Sequence, residues 1–148
     1  MCIRDSVTTT CSTKHKDFVM SLGADEHICY KSQKFEEVAK DIDFVLDAVG
    51  GKDILLNSLK AVKEGGAIVS IPSGDFPAEV VAEAEKRKVD LSFYLVKSDG
   101  KDMNTLKKLL EKGKIKAHVS KTFPFAKMGE AHKQLESSRT VGKVVVTV

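Results

Sequence analysis

Apolar residues along this chain alternate between two spacings. Short β-branched or apolar runs read as strands, and stripes spaced three or four residues apart read as helices. Val7 to Cys11 is a short β-branched strand, and Ser12 or Thr13 can cap the helix that follows. Phe18, Val19 and Leu22 form that helix's stripe, with Gly23 as its stop. Glu26 to Tyr30 is a second strand, and Phe35 to Lys40 a short helical link. Ile42, Phe44, Val45 and Leu46 form a near-continuous apolar third strand ending at Asp47. Lys52 to Val62 is helical, with Ile54, Leu55, Leu59 and Val62 inward. Lys63 to Gly66 reads as a turn and Ala67 to Ile71 as a fourth strand. A helix follows over Pro77 to Lys86, with Pro77 suited to its first turn, and then a strand over Val89 to Val96. Met103 to Glu111 is a helix. The tail reads as a strand at Val119 to Phe123, a helix at Ala126 to Leu135 and a strand at Val144 to Val146.

Strand and helix alternate without a break, which predicts an α/β fold with a doubly wound parallel sheet. The unbroken apolar run at Ile42 predicts burial on both faces. In such sheets ligands sit beyond the carboxyl ends of the strands. Val49, Gly50 and Gly51 occupy that place, where glycine lets a ligand approach the backbone.

Charge and composition narrow the function. The 148 residues carry a net charge of +3, with Lys and Glu interspersed along helices. That pattern suits solvated helix faces and argues against nucleic-acid binding. No apolar run is long enough for a membrane span. Cys2, Cys11 and Cys29 form no even framework and no CxxC pair, which suits a reducing, cytoplasmic setting without disulfides. His15, His27, His118 and His132 show no metal spacing, so no metal site is expected. Asp41, Asp43 and Asp47 read as turn and capping residues. The tip of the first strand carries Ser12, Thr13, Lys14 and Lys16 where a binder of NAD would carry an acidic residue. Hydroxyls and positive charge suit a 2′-phosphate, hence NADP(H). The plainer reading is a helix cap followed by surface lysines. No GxGxxG and no Walker A sequence occurs.

FVMSLGADEHICYKSQKFEEV, DFVLDAVGG, LKAVKEGGAIVSI, FYLV and FPFAKMGEAHKQLESSRTVGKVVV together resemble the medium-chain dehydrogenase/reductase superfamily. The branch they resemble is the zinc-independent, quinone-oxidoreductase-like reductases. The resemblance runs from Val7 to Val148 in the family's order. It implies an NADPH-dependent reductase of quinones, enones or similar activated alkenes, a small-molecule substrate and a homodimeric parent. By analogy Ser12 and Lys16 hold the 2′-phosphate, with Tyr30 near the adenosine. Val49 and Gly50 line the cofactor path, and Ser70 and Ile71 continue it. Phe93, Leu95 and Val96 lie near the nicotinamide, and a core role fits those three equally from sequence. Gly142 and Lys143 close the site. Cys29 stands where the family commonly has an acidic residue.

The family's substrate domain, first strand and glycine-rich turn have no counterpart here. The expected architecture is therefore a partial Rossmann-like sheet over residues 7–120, with 121–148 returning toward the substrate domain. Residues 1–6, MCIRDS, resemble a translated sequencing adapter, which makes the chain a C-terminal fragment of a longer enzyme. Without the first strand, the edge at Ile42 should be exposed, so the chain either closes the gap by a non-native pairing or is poorly soluble. No catalytic acid or base can be assigned. The rival readings are a non-enzymatic NADP-binding or structural protein and a flavodoxin-like receiver, for which Asp47 is the only well-placed acidic residue.

Overall fold

The computed structural model describes residues 6–137 and 139–148. The start read as adapter-like falls, except for Ser6, outside the described residues. Two compact units are present, 1–96 and 97–148.

In the first unit, β1 (Thr8–Cys11) pairs in parallel with β2 (Glu26–Cys29). A single 3-10 turn (Thr13–His15) and α1 (Lys16–Ser21) connect them. Gly23, at φ 104°, follows α1 and turns the chain, as its sequence position predicted. The short α2 (Phe35–Val38) leads to β3 (Ile42–Asp47), α3 (Lys52–Ala61), β4 (Val62–Ser70), α4 (Ala78–Lys86) and β5 (Asp90–Phe93). These last strands form a separate parallel sheet in the order β3-β4-β5. β1 and β3 share no ladder, so the two sheets stand apart where a Rossmann sheet has its first strand. Among the described residues no strand pairing joins the two sheets across that position.

The core lies on one face of the three-stranded sheet. Leu55 and Leu59 of α3 and Val80 and Ala84 of α4 pack on Val62, Ile68 and Val89, with Val45 and Leu91 at the margin. Leu59, Ile68 and Val80 are fully buried. Such burial is worth about 2 kcal/mol per side chain. Arg87 ties the layer together, donating to Glu83 at 2.6 Å and to the Leu59 carbonyl at 3.1 Å. The expected burial of β3 on both faces is not observed. Phe44 and Leu46 alternate with Val45 and Asp47, so they project from the opposite face, where they remain 54% and 59% exposed.

Two further expectations change. The turn expected at Lys63 to Gly66 is a bulge within β4. Ile42 pairs with Val62 and Phe44 with Ala67, and Gly65 at φ 75° takes up the extra residues. A Cβ on Gly66 would stand 2.9 Å from the Asp43 carbonyl, so the close approach requires glycine. The strand expected to reach Val96 ends at Phe93, because β4 offers no partner beyond Ser70 except one bond from Tyr94 N–H to the Ser70 carbonyl at 3.2 Å.

The second unit contains α5 (Gly100–Glu111), β6 (Val119–Pro124), a 3-10 turn (Phe125–Lys127), α6 (Met128–Glu136) and β7 (Lys143–Thr147). β6 and β7 form a parallel pair. Asp99 caps α5, accepting from Lys101 N–H at 2.6 Å, which starts the helix three residues before the first periodic apolar residue. No helix of the described residues is long and apolar enough to cross a membrane.

Candidate functional site

The first unit has two strand tips, built differently. At the tip of β3 and β4, the parallel register sets Asp47 beside Ser70 and Ser70 beside Phe93. Asp47 is 4% exposed and Ser70 1%. One Asp47 carboxylate oxygen accepts from Val49 N–H at 3.0 Å and Gly50 N–H at 2.9 Å. The other accepts from the Ser70 hydroxyl at 2.9 Å. The carboxylate thus holds the turn as an Asx turn and ties it to the next strand. This is the turn role that the sequence suggested for Asp47. Gly50 and Gly51 have φ of 78° and 98°, conformations that L side chains rarely adopt. A Cβ on Gly51 would meet nothing within 4 Å, so backbone lies bare at this tip. Val49 and Ile71 flank it, both exposed.

Ser70 differs from the other expected site residues. Its hydroxyl is turned inward to Asp47, so it supports the tip rather than facing outward. Phe93 covers Gly74, where any Cβ would stand 2.6 Å from the ring. Leu95 and Val96 are exposed on a segment without regular secondary structure, and the core role considered for them is not observed.

At the tip of β1 and β2, Cys11 is the register partner of Cys29. Ser12 is buried at 7% exposure. It occupies the cap position of the following turn without a side-chain cap bond, so the capping expected of it is carried by its carbonyl, which accepts from His15 N–H at 2.9 Å. Thr13, the other expected cap, donates its hydroxyl to Cys29 Sγ at 3.1 Å. That hydrogen bond, followed by those from the Ser32 hydroxyl and the Lys31 backbone, lowers the Cys29 thiol from 9.0 to about 6. Burial, and then the charge on Cys29, raise the Cys11 thiol. Lys16 and Tyr30 are exposed at the same tip.

Register therefore gathers Val49, Gly50, Ser70, Ile71 and Phe93 at one tip, and Ser12 and Tyr30 at the other. Gly142 and Lys143 belong to the second unit, where Lys143 N–H donates to the His118 carbonyl at 2.8 Å. Gly142, at φ 85°, lies so close to His118 that a Cβ would stand 2.4 Å from its carbonyl oxygen. The sequence reading missed the Thr13–Cys29 contact, which needs the β1–β2 register to become visible. It also missed that Asp47 reaches Ser70, although Asp-x-x-Gly after a strand is a recognisable Asx-turn signal.

The residues fit a nicotinamide dinucleotide. Bare glycine backbone at one tip and hydroxyl and ammonium groups at the other match the donors that such a cofactor needs. Among the described residues no group of three or more His, Cys, Asp or Glu is arranged to hold a metal ion.

Similarity to known proteins agrees with this architecture. The profile of the zinc-binding dehydrogenases matches residues 22–146. A mitochondrial zinc-binding oxidoreductase of Arthroderma benhamiae is 31% identical across 97% of this chain and 44% of its own length. The chloroplastic NADPH-dependent alkenal/one oxidoreductase of Arabidopsis thaliana is 32% identical across 95% of this chain and 33% of its own. The solved quinone oxidoreductase of Coxiella burnetii superposes with a TM-score of 0.83 at 30% identity, over 97% of this chain and 45% of that one. The chain thus spans less than half the length of these relatives, in the part that carries the nucleotide fold. With its parallel strand tips, its Asp47 turn and its match over residues 22–146, the chain belongs to the zinc-binding dehydrogenases of the medium-chain dehydrogenase/reductase superfamily.

Proposed function

We propose that this chain is the nucleotide-binding portion of an NADPH-dependent reductase acting on quinones, enones or similar activated alkenes. The observation that carries the cofactor choice is the β1–β2 tip. Ser12 and Lys16 stand there with no acidic residue from Cys11 to Lys16, so a 2′-phosphate meets a hydroxyl and an ammonium rather than a carboxylate. Tyr30 offers an aromatic face beside the adenosine. Val49, Gly50 and Ile71 pass the cofactor along the β3–β4 tip, with Ser70 behind them. Phe93, Leu95 and Val96 shape the nicotinamide end.

The bound nicotinamide supplies the hydride for an electrophilic carbon, and the chain's own contribution is orientation and charge. No residue of this chain is assigned as acid or base. The substrate class follows the names of the relatives, an alkenal/one oxidoreductase and a quinone oxidoreductase. The boundaries that go with this reading are a nucleotide domain over 7–120 and a returning segment over 121–148, in a homodimeric parent. Two relatives are named as mitochondrial and chloroplastic, and the localisation that goes with this reading is a reducing compartment such as the cytoplasm.

The test is competitive binding of NADP+, NAD+ and 2′,5′-ADP to the chain, followed by NADPH oxidation with quinones and enones in the intact protein. Preference for the 2′-phosphorylated ligands, lost in Lys16→Glu, supports the reading. Equal binding of NAD+ and NADP+ overturns the cofactor choice. Tight NADPH binding with no turnover of any quinone or enone would favour a non-enzymatic binding protein.

A further inference from the structure

The β1–β2 tip holds two cysteines that the proposed cofactor chemistry does not use. Cys11 and Cys29 are register partners on neighbouring parallel strands, so their side chains leave the same face. Strands in a sheet lie about 4.8 Å apart, inside the separation of about 4.4–6.8 Å that a disulfide spans between its Cα atoms. Both are free thiols, Cys11 half-buried and Cys29 at 7% exposure. The Thr13 hydroxyl points its proton at Cys29 Sγ from 3.1 Å, the arrangement that stabilises a thiolate.

We propose that Cys11 and Cys29 form a peroxide-sensitive dithiol that closes to an intramolecular disulfide across the β1–β2 tip. The Cys29 thiolate attacks one oxygen of a hydroperoxide and breaks the O–O bond. Cys29 becomes a sulfenic acid, and water leaves once the departing hydroxide takes a proton. Cys11 then attacks the sulfenic sulfur. The S–S bond forms, the S–O bond breaks, and the displaced hydroxide takes the Cys11 proton to leave as a second water. Two thiols are oxidised and one peroxide is reduced to two waters.

The assignment of roles follows from the charges. Cys29 is lowered to about 6, which favours its thiolate near neutral pH, while burial, and then the charge on Cys29, push the Cys11 thiol up. Conversion of Cys29 to a neutral sulfenic acid removes that repulsion, so Cys11 ionises more readily at the step where it must attack. The Cys11 thiol now donates weakly to the Ser12 carbonyl at 3.5 Å, a contact that disulfide closure breaks. Ser12 is the residue placed on the 2′-phosphate, so a link between oxidation and cofactor affinity rests on the proposed function, whereas the thiol chemistry does not.

The experiment uses the full chain carrying Cys2→Ser, treated with stoichiometric hydrogen peroxide, alkylated and mapped by mass without reduction. The expected product is a Cys11–Cys29 cross-linked peptide pair within one chain, lighter by two hydrogens and reopened by dithiothreitol. Cys11→Ser should stop at a Cys29 sulfenic acid trapped by dimedone, and Thr13→Val should slow closure about tenfold. Wild-type sequence is mapped in parallel, so the result does not hang on the variants. Recovery of both residues as alkylated thiols, or cross-links only between chains, overturns the proposal. Measuring NADP+ binding on the oxidised and reduced forms separates the two readings: disulfide without any cofactor binding in either form leaves the dithiol standing and removes the cofactor reading.

Discussion

The two strand tips of the first unit occupy equivalent places in parallel sheets, yet they use their polar residues in opposite ways. At the β3–β4 tip, the carboxylate of Asp47 is buried and spends its hydrogen-bonding capacity on Val49, Gly50 and Ser70. At the β1–β2 tip, Lys16 and Tyr30 face solvent, and Thr13 polarises a thiol rather than capping a helix. Polar groups that satisfy one another inside the fold hold its shape. Polar groups left facing outward are available to a ligand or a reagent. At the β3–β4 tip the polar side chains are spent on holding the turn, whereas at the β1–β2 tip they stay open to solvent or polarise a thiol.

The sharpest way to break this comparison is Asp47→Ala. It strips the acceptor from two backbone donors and a buried hydroxyl, and should destabilise the chain by about 3 kcal/mol, read as a lowered urea midpoint. A loss below about 0.5 kcal/mol would show that the turn holds itself without the carboxylate. Lys16→Glu addresses the other tip. It should weaken NADP+ binding about tenfold and leave the urea midpoint almost unmoved, because the side chain is exposed and its expected partner is the ligand. A stability loss larger than the binding loss would move Lys16 to the architectural side.

Ser70→Ala is the milder test of the first tip. It removes one hydrogen bond, from a hydroxyl that is 1% exposed, and should cost about 1 kcal/mol with cofactor affinity falling only as far as the turn loosens. A large binding loss at unchanged stability would return Ser70 to the ligand-facing set. A separate test of the second tip is a pH dependence at Cys29. Its thiol is lowered in the folded chain from 9.0 to about 6. The folded state therefore binds the proton less readily than the unfolded state, and this contribution is complete above about pH 9 and is lost as pH falls through about 6. The melting temperature of the reduced chain should rise across that interval, and Thr13→Val should flatten the rise. An unchanged slope in Thr13→Val would mean that the hydroxyl does not hold the thiolate.

The exposed side of β3 has its own consequence for handling the protein. Phe44 and Leu46 are more than half exposed beside an unpaired edge, the combination that drives edge-to-edge association. The reduced chain should therefore lose solubility with concentration, and a Lys at Leu46 should relieve it. A monomeric, freely soluble chain would show that this edge is protected in solution.

Much of the architecture was legible along the chain. Period and punctuation located β3 to the residue and placed α3 and α4 nearly so, because an apolar run bounded by Asp47, Gly50 and Gly51 and a stripe at Leu55 and Leu59 are local signals. Family resemblance named the fold, and it directed attention to both tips. Other features depended on partners distant in sequence. The bulge at Gly65 and Gly66 arises because Val62 and Ala67 must pair with Ile42 and Phe44, two residues apart. The end of β5 at Phe93 is set by where β4 stops offering partners, not by the continuing apolar run. The resemblance put Ser70 on the cofactor path, and only its register with Asp47 shows that its hydroxyl is turned inward. Cys29 stood out along the chain only as a departure from a commonly acidic family position until parallel pairing set it beside Cys11 and within reach of Thr13. Periodicity and punctuation are properties of neighbours in the chain, and so the sequence alone determined which elements form. Hydrogen-bond partners and the pKa of a buried group depend on residues brought together across a sheet, and those only the tertiary structure decided.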